Sequence, residues 1–263
     1  MDEEHDDDVT VPRRGRFPRD RVEAERADRF TFGHRTGSAR VQRAFDEIGF
    51  CTVPGVLTPG ESDAISARLE RLGHMGPGTR RMLELPWVKA LAKDLRENSA
   101  LSAIIPKDYS AVQCTLFAKS RETNWAVAPH QDLSIPVASR VEHSNLTGWS
   151  EKEGMLFVQP PAHVLAQLVA VRVHVDDCGL NAGALRVFPG SHRRRAFSQE
   201  EIHLLQAIME EVHCAAPQGG AMALRPLLVH ASSKTAVSSP RRVLHFLLGP
   251  RELQFGLRWA HAV

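Results

Sequence analysis

The sequence is poor in several features that mark particular protein classes. Its 263 residues include only 4 cysteines, Cys51, Cys114, Cys178 and Cys214, which are far apart and form no CxxC pair. This pattern argues against a disulfide framework or a cysteine zinc site, and it favours reduced thiols in a cytoplasmic protein. No apolar run reaches the roughly 20 residues that a membrane span needs.

Net charge and targeting signals are also scarce. The formal charge is only +2, so no electrostatic attraction to nucleic acid or to a membrane surface is expected. The acidic N-terminus, MDEEHDDD, lacks the basic and apolar regions of a secretory signal. We therefore expect a cytoplasmic protein without a nucleic-acid or membrane partner, while the sequence leaves its oligomeric state open.

What the chain does have is the composition of one globular domain. It is 43% hydrophobic and 24% charged, which suits a single sizeable core. Residues 1–37 carry an acidic block followed by a basic one and are predicted to be a flexible tail. Residues 38–263 contain no repeat and no linker, and they are predicted to form one domain.

Helical patterns dominate the first part of this domain. The segment ARVQRAFDEIGF has apolar residues at helical spacing and stops at Gly49. The segment TPGESDAISARLERLG begins with a capping box made by Thr58 and Glu61. Further helices are predicted over residues 87–98 and from the Ser198 cap as far as residue 212.

From Ser110 onward the pattern changes to strands. SAVQCTLFAK and AQLVAVRVHVDD are rich in β-branched residues, and the second alternates between valines and other residues, which predicts a half-buried strand. Two strands, over residues 220–230 and 242–248, are predicted to close the chain. Helices followed by many short strands indicate an α+β protein with a β-sandwich or barrel core.

One short motif, His130 and Asp132 in NWAVAPHQDLSIPV, carries candidate metal chemistry. Residues i and i+2 of an extended segment point to the same side, so both side chains can aim at one point. An imidazole and a carboxylate make two thirds of the 2-His-1-carboxylate triad that holds Fe(II) with open positions. HxD alone is a weak signal, because a surface or helix-cap His–Asp pair is the commoner arrangement.

A third metal ligand has to come from a distant part of the chain. Among the 13 histidines, His230 differs from the others because it follows the apolar run LRPLLV and precedes a loop of small residues. A histidine at a strand end of this kind can project into the mouth of a barrel. The other histidines lie in polar, helical, terminal or packed contexts, where a solvated, capped or buried side chain is the simpler interpretation.

Three segments together resemble the phytanoyl-CoA dioxygenase family: FAKSRETNWAVAPHQDLSIPV, VRVHVDDCGLNAGALRVFPGSH and RPLLVHASSKTAVSSPRRVLHF. Members of this family are Fe(II)- and 2-oxoglutarate-dependent oxygenases whose fold is a double-stranded β-helix, a cupin-like jelly roll. The resemblance implies such a core with N-terminal and flanking helices outside it. It also implies Fe(II), 2-oxoglutarate and O2 as cofactors and co-substrates.

The resemblance further implies roles for particular residues. His130, Asp132 and His230 match the three iron ligands of the family. Arg241 matches the arginine that binds the distal carboxylate of 2-oxoglutarate, a task that needs a fixed, bidentate cation. The neighbouring Arg242 would point to the opposite face of a strand, so only one of the two can serve, and Arg241 is the prediction.

Other positions match the family less specifically. Lys119 and Trp149 correspond to a lysine and a tryptophan that lie near the co-substrate in related enzymes, with a surface lysine and a core-anchored loop tryptophan as the alternatives. Asn124 and Trp125 are predicted to shape the pocket floor or to brace the HxD turn. Halogenating relatives replace the carboxylate ligand by Gly or Ala, so the presence of Asp132 implies hydroxylation or another oxidation instead.

The resemblance as a whole implies an enzyme that hydroxylates or otherwise oxidises a small organic substrate and releases succinate and CO2. Two alternatives remain open, a non-catalytic jelly-roll protein that binds a ligand and a cupin-like metal enzyme that does not use 2-oxoglutarate. The long polar segment over residues 139–161 is a candidate lid, because it follows HxD directly. The near-neutral composition does not identify the substrate.

Overall fold

The computed structural model describes residues 30–32, 37–73, 76–193 and 196–263. Most of the predicted N-terminal tail, residues 1–29 and 33–36, lies outside these ranges. Within the tail, Thr31 forms a bridge to Thr52 of the first strand, and Phe32 is buried in the core. The division of the chain at residue 38 stays a prediction.

The described residues form five α-helices, α1 Ser38–Ile48, α2 Pro59–Arg71, α3 Pro86–Glu97, α4 Ala162–Leu165 and α5 Gln199–Ile208. Helices α2 and α5 both begin with the capping boxes that the sequence predicts, on Thr58 and Ser198. Helix α5 ends earlier than predicted, because Val212 belongs to a strand. None of the described helices is long and apolar enough to cross a membrane.

The rest of the regular structure in the described ranges consists of four short 3-10 helices and thirteen strands. The strands are β1 Phe50–Val53, β2 Gly78–Thr79, β3 Tyr109–Lys119, β4 Val127–His130, β5 Ile135–Val137, β6 Thr147–Lys152, β7 Met155–Gln159, β8 Val169–His174, β9 Leu185–Val187, β10 Val212–Cys214, β11 Ala221–Leu224, β12 His230–Ser232 and β13 Arg241–Pro250. The large sheet has the order β1-β11-β8-β13-β3-β2, the small sheet β10-β9-β12-β4, and a third sheet β5-β7-β6.

Two apolar clusters hold these layers together. One lies between the helices and the outer face of the large sheet, and it includes Phe45, Ile65, Val88, Val171, Val173 and Phe246. The other joins the inner face of the large sheet to the small sheet, and it includes Ala170, Leu185, Val187, Val212, Met222 and Leu247. Two facing antiparallel sheets with helices outside form a jelly roll, so the fold class predicted from the sequence is confirmed.

Strand β8 differs from its prediction as a half-buried strand, since all six of its residues are buried. Its valines pack under the helices, while Ala170, Arg172 and His174 alternate with them and lie on the other face. A central strand of a covered sheet has no solvent face, so alternation here separates an apolar side from a partly polar interior.

The strand predicted over residues 220–230 is in fact two strands in two different sheets. Strand β11 pairs with β1 and β8 in the large sheet, whereas β12 pairs with β4 and β9 in the small one. Between them the chain turns, with the Leu228 amide donating to the Arg225 carbonyl, and Pro226 has no amide proton for a ladder. This crossover carries His230 to the small sheet, opposite His130.

The candidate lid is more regular than its polar sequence suggests. Residues 139–161 contain the β6–β7 hairpin, which pairs with β5. At the hairpin tip, the Glu153 carboxylate accepts hydrogen bonds from the Thr79 hydroxyl at 2.6 Å and from the Arg80 backbone amide at 2.9 Å. The segment is therefore a tethered hairpin beside the cavity described next, and not an open loop.

Candidate metal centre and co-substrate cavity

Two neighbouring strands of the small sheet bring the predicted metal ligands together. His130 ends β4 and His230 begins β12, and their rings lie 4.3 Å apart between centroids. Asp132 follows two residues later, and its backbone amide donates to the Pro226 carbonyl at 2.9 Å. Each histidine Nε2 lies 3.7 Å from an oxygen of Asp132, and the three candidate ligand atoms lie within 4.8 Å of one another.

The hydrogen bonds of the two imidazoles test whether this donor set fits a metal. Nδ1 of His130 lies 2.9 Å from the Ala128 carbonyl, and Nδ1 of His230 lies 2.8 Å from the Leu228 carbonyl. Only a protonated Nδ1 can donate to a carbonyl, so Nε2 is the atom of each ring that faces Asp132 and is left to bind a metal. Metal-binding histidines are oriented by such backbone contacts, and two imidazoles with one carboxylate suit Fe(II).

The charge states of the triad also suit a metal. Burial alone would raise the pKa of Asp132, but the charge of His230 and the hydrogen bond with His130 hold this pKa well below its usual range. Burial lowers the pKa of His230, which favours the neutral imidazole that a metal requires. Burial opposes a charge on His130, but its contact with Asp132 raises its pKa overall. A bound metal cation would take the place of the proton on His130.

The triad opens into a cavity of about 420 Å³ whose wall carries two adjacent cations. Arg241 and Lys119 are cross-strand partners on β13 and β3, and they are 3% and 2% exposed. The Lys119 amine donates to Ser232 Oγ at 3.0 Å and to the Ser233 carbonyl at 2.6 Å. Arg241 donates from Nη2 to the Gly183 carbonyl at 3.2 Å, and its buried Nε has no partner.

The two consecutive arginines of β13 face opposite sides. Arg242 lies outside the cavity and binds Asp176 through Nη2 and Nε at 2.7 and 2.9 Å. It also donates to the Ser66 hydroxyl of α2 at 2.6 Å. Arg241 is the member of the pair that lines the cavity, which is the arrangement the alternation of a strand requires.

The structure places the two predicted tryptophans differently. Trp149 lies on β6, beneath the guanidinium of Arg140 at 5.2 Å, and does not line the cavity. Trp125 does line it, and the Lys119 amine lies 5.1 Å from the centroid of its ring. Trp125 therefore lies in the cavity wall beside Lys119, whereas Trp149, which was predicted to lie near the co-substrate, does not line the cavity.

Asn124 and Trp125 are the two residues predicted to shape the pocket floor or to brace the HxD turn, while two further residues of the cavity wall were not predicted. Asn124 exchanges two 2.9 Å hydrogen bonds with the backbone of Thr235, which fits its predicted supporting role. Arg172 and His245 also line the cavity, although His245 had been interpreted as a packed strand residue. The alternation of β8 was a signal for Arg172, because it opposes the valines that pack under the helices.

Two histidines and a carboxylate inside an antiparallel jelly roll, beside a cationic cavity, define a class of non-haem iron enzymes. The family model described as phytanoyl-CoA dioxygenase (PhyH) matches residues 45–243, well over half of the chain. The chain belongs to this family, and the resemblance seen in the sequence is confirmed. The enzyme class that it implied, an oxygenase dependent on Fe(II) and 2-oxoglutarate, is the class of this family.

Solved structures of other enzymes have a similar fold. The epimerase SnoN in complex with Fe3+, alpha ketoglutarate and nogalamycin RO is 16% identical, with a TM-score of 0.62 over 81% of this chain and 83% of that one. HygX from Streptomyces hygroscopicus, with nickel and 2-oxoglutarate bound, is 19% identical, with a TM-score of 0.53 over 78% and 84%. The carbocyclase SnoK is 14% identical, with a TM-score of 0.59 over 84% and 91%. No curated protein matches the chain.

Proposed function

We propose that the protein hydroxylates, or otherwise oxidises, a small organic substrate with 2-oxoglutarate as co-substrate and succinate and CO2 as products. The main support is one juxtaposition, a His–Asp–His triad with its Nε2 atoms free and two buried cations in the same cavity. A triad alone would suit many metal enzymes. The cations add a site for the second carboxylate of a dicarboxylic acid.

In this proposal His130 and His230 bind Fe(II) through Nε2, and Asp132 binds it through a carboxylate oxygen. The backbone contacts of both Nδ1 atoms prevent the rings from turning, so the ligands are held ready for the ion. Fe(II) held there would supply the redox chemistry, in which 2-oxoglutarate loses CO2 and gains one oxygen atom of O2 to become succinate, while the other oxygen atom enters the substrate in a hydroxylation or leaves as water in another oxidation.

Arg241 and Lys119 bind the distal carboxylate of the co-substrate. Both are buried, so water screens their charges little, and Arg241 offers a planar pair of donors that matches two carboxylate oxygens. The Gly183 carbonyl holds the guanidinium in place from the far side. Ser232, which orients Lys119, lies on the same short strand as His230, so β12 aligns the metal and the co-substrate sites.

Several observations support a small molecule as the substrate. The cavity is lined by the two main sheets and the β6–β7 hairpin, and its apolar wall includes Ile135, Phe157 and Leu247. HygX has also been solved with hygromycin B bound, which is a precedent for a small molecule bound to a protein of this fold. The free, buried cysteines suit the cytoplasm, and we propose that location together with a single domain over residues 38–263.

The proposal is tested by binding and turnover of the co-substrate. Anaerobic addition of Fe(II) and 2-oxoglutarate should produce a weak visible charge-transfer band, and admission of air should release succinate in proportion to the 2-oxoglutarate consumed. A non-catalytic jelly roll or a cupin-like enzyme that ignores 2-oxoglutarate would give neither signal. Failure to bind both Fe(II) and 2-oxoglutarate would defeat the proposal.

The affinity for 2-oxoglutarate should depend on pH through Lys119. Burial, with smaller contributions from Arg241 and Arg172, lowers the pKa of Lys119 to about 8. A bound dianion favours the charged amine, so binding takes up a proton above that pH, and the affinity should fall by up to about tenfold per pH unit. Calorimetric titration of the Mn(II)-loaded protein between about pH 6.5 and 9.5 measures this fall.

The control for this pH effect is Lys119→Met, which keeps an unbranched side chain only one atom shorter and removes the charge. This variant should bind 2-oxoglutarate more weakly at neutral pH and should show a flatter pH profile. If the affinity of Lys119→Met for 2-oxoglutarate falls above pH 8 as steeply as that of the wild type, another group is responsible for the pH dependence.

A further inference from the structure

Arg172 of β8 occupies the cavity wall but has no task in the proposed function. It is only 7% exposed, and its guanidinium lies 5.4 Å from the ring centroid of Phe117. Nη1 donates to Nδ1 of His245 at 3.1 Å. The buried Nε has no hydrogen-bond partner, and Nη2 makes no hydrogen bond with the described residues either. One edge of this guanidinium is therefore free.

Charges around the cavity leave Arg172 without a counter-ion. Among the described residues, Asp132 is the one carboxylate of the wall, against five cationic side chains, Arg80, Lys119, Lys152, Arg172 and Arg241. Arg80 is paired with Glu153 at 2.8 Å, and Lys152 is only partly buried, with its amine over the ring of Phe157. Asp132 is committed to the metal. 2-Oxoglutarate would bring two carboxylates, one for the metal and one for Arg241 with Lys119. A buried, unpaired cation is costly, so a further anion is expected.

The register of the large sheet separates this cation from the co-substrate pair. Lys119 is the cross-strand partner of Arg241 at the start of β13. Arg172 is the partner of His245, four residues further along the same strand, which corresponds to about 13 Å between backbone positions. The inner face of the large sheet thus carries two cationic positions, and the proposed function uses one of them.

We propose that Arg172, held by His245, binds a carboxylate of the substrate, which is therefore a small organic acid. This inference rests on the proposed function and names the substrate class of the same site. The free edge of Nε and Nη2 matches the two oxygens of a carboxylate. Because His245 accepts from Arg172 at Nδ1, its proton lies on Nε2, which provides another donor at the cavity wall.

Matched acids and amides test this assignment. The protein is loaded anaerobically with Fe(II) and 2-oxoglutarate and is titrated with phenylacetate against phenylacetamide, and with hexanoate against hexanamide. Perturbation of the charge-transfer band reports binding. We expect at least one acid to bind about tenfold or more tightly than its amide, as a buried charge pair would give. In Arg172→Gln this preference should disappear, while the affinity for 2-oxoglutarate stays within about twofold of wild type.

Other outcomes overturn the inference. If every acid binds only as tightly as its amide, or if neither acid binds, the proposed carboxylate site at Arg172 does not exist. A loss of 2-oxoglutarate affinity in Arg172→Gln as large as that in Arg241→Gln would assign Arg172 to the co-substrate instead. If the wild-type protein does not load with Fe(II) and 2-oxoglutarate, the proposed function fails first, and the two failures are thereby distinguished.

A second variant separates binding from folding. Arg172→Met keeps an extended side chain over Phe117 but removes the unpaired charge, so the ligand-free protein should unfold at the same or a higher temperature than wild type. The rise in unfolding temperature that the preferred acid gives the loaded wild type should be absent in this variant. If Arg172→Met and Arg172→Gln both fail to fold, Arg172 is a structural residue and the inference is wrong.

Discussion

Replacement of Asp132 by alanine is expected to abolish 2-oxoglutarate turnover and to weaken Fe(II) binding by at least about 100-fold. The carboxylate is the only negative ligand of the triad, and it lies 3.7 Å from both imidazole Nε2 atoms. Loss of an outer partner of a ligand already costs about 10- to 100-fold in affinity, so loss of the ligand itself should cost at least the upper value. Anaerobic Fe(II) titration and succinate release measure the two effects.

Thermal unfolding offers an independent measure of the same change. A metal that binds only the folded state stabilises it in proportion to the logarithm of its concentration over its Kd. Fe(II) should therefore raise the unfolding temperature of the wild type and have little effect on Asp132→Ala. Asp63, an exposed carboxylate of α2, provides the control, because Asp63→Ala should behave as the wild type. Retention of wild-type turnover in Asp132→Ala would exclude the triad as the metal site.

The paired variants Arg241→Ala and Arg242→Ala should have opposite consequences, although the residues are neighbours. Arg241 faces the cavity, so its loss should weaken 2-oxoglutarate binding roughly 30-fold or more, as expected for truncation of a buried charge pair that contributes about 2 kcal/mol or more. Arg242→Ala should leave this affinity unchanged. Calorimetric titration of both Mn(II)-loaded variants with 2-oxoglutarate gives the comparison.

The loss of folding stability should be larger for Arg242→Ala than for Arg241→Ala. Arg242 makes two hydrogen bonds to Asp176 and one to Ser66, so its removal should lower the free energy of unfolding by about 1–3 kcal/mol. Arg241 donates one hydrogen bond, to the Gly183 carbonyl, and has an unpartnered Nε, so its removal should cost less stability. Weakened 2-oxoglutarate binding in Arg242→Ala with normal binding in Arg241→Ala would reverse the assignment.

Local signals in the sequence predicted the elements that depend on neighbours along the chain. The capping boxes of Thr58 and Ser198 are satisfied within four residues, and α2 and α5 start where they predict. The end of α5 was predicted less well, because Val212 fits helical spacing but pairs with Val187 of β9. Periodicity does not report a strand partner that lies far away in the sequence.

In the candidate site, too, the residues marked by local patterns or motifs were predicted, and those that depend on distant contacts were not. His130 and Asp132 could be proposed from the alternation of one extended segment, and His230 could be matched by family resemblance. Trp149 was assigned by its distance past the motif and does not line the cavity, whereas Trp125, predicted to shape the pocket floor or to brace the HxD turn, does. Arg172 had no motif around it, and its importance appears only when the unpaired edge and the neighbouring charges are seen together.

By itself, the sequence determined the class of the fold, the approximate positions of α1, α2 and α3, the start of α5, the family and the order of the candidate ligands along the chain. These properties follow from spacing, capping and motif identity, which are local or can be compared position by position. Only the tertiary structure decided that β11 and β12 part at Arg225, that Arg241 faces inward, and that Arg172 is left unpaired in the cavity. The pairing of strands, the burial of side chains and the proximity of charged groups depend on contacts between residues that are distant in the sequence. The periodicity of the sequence does not encode these contacts.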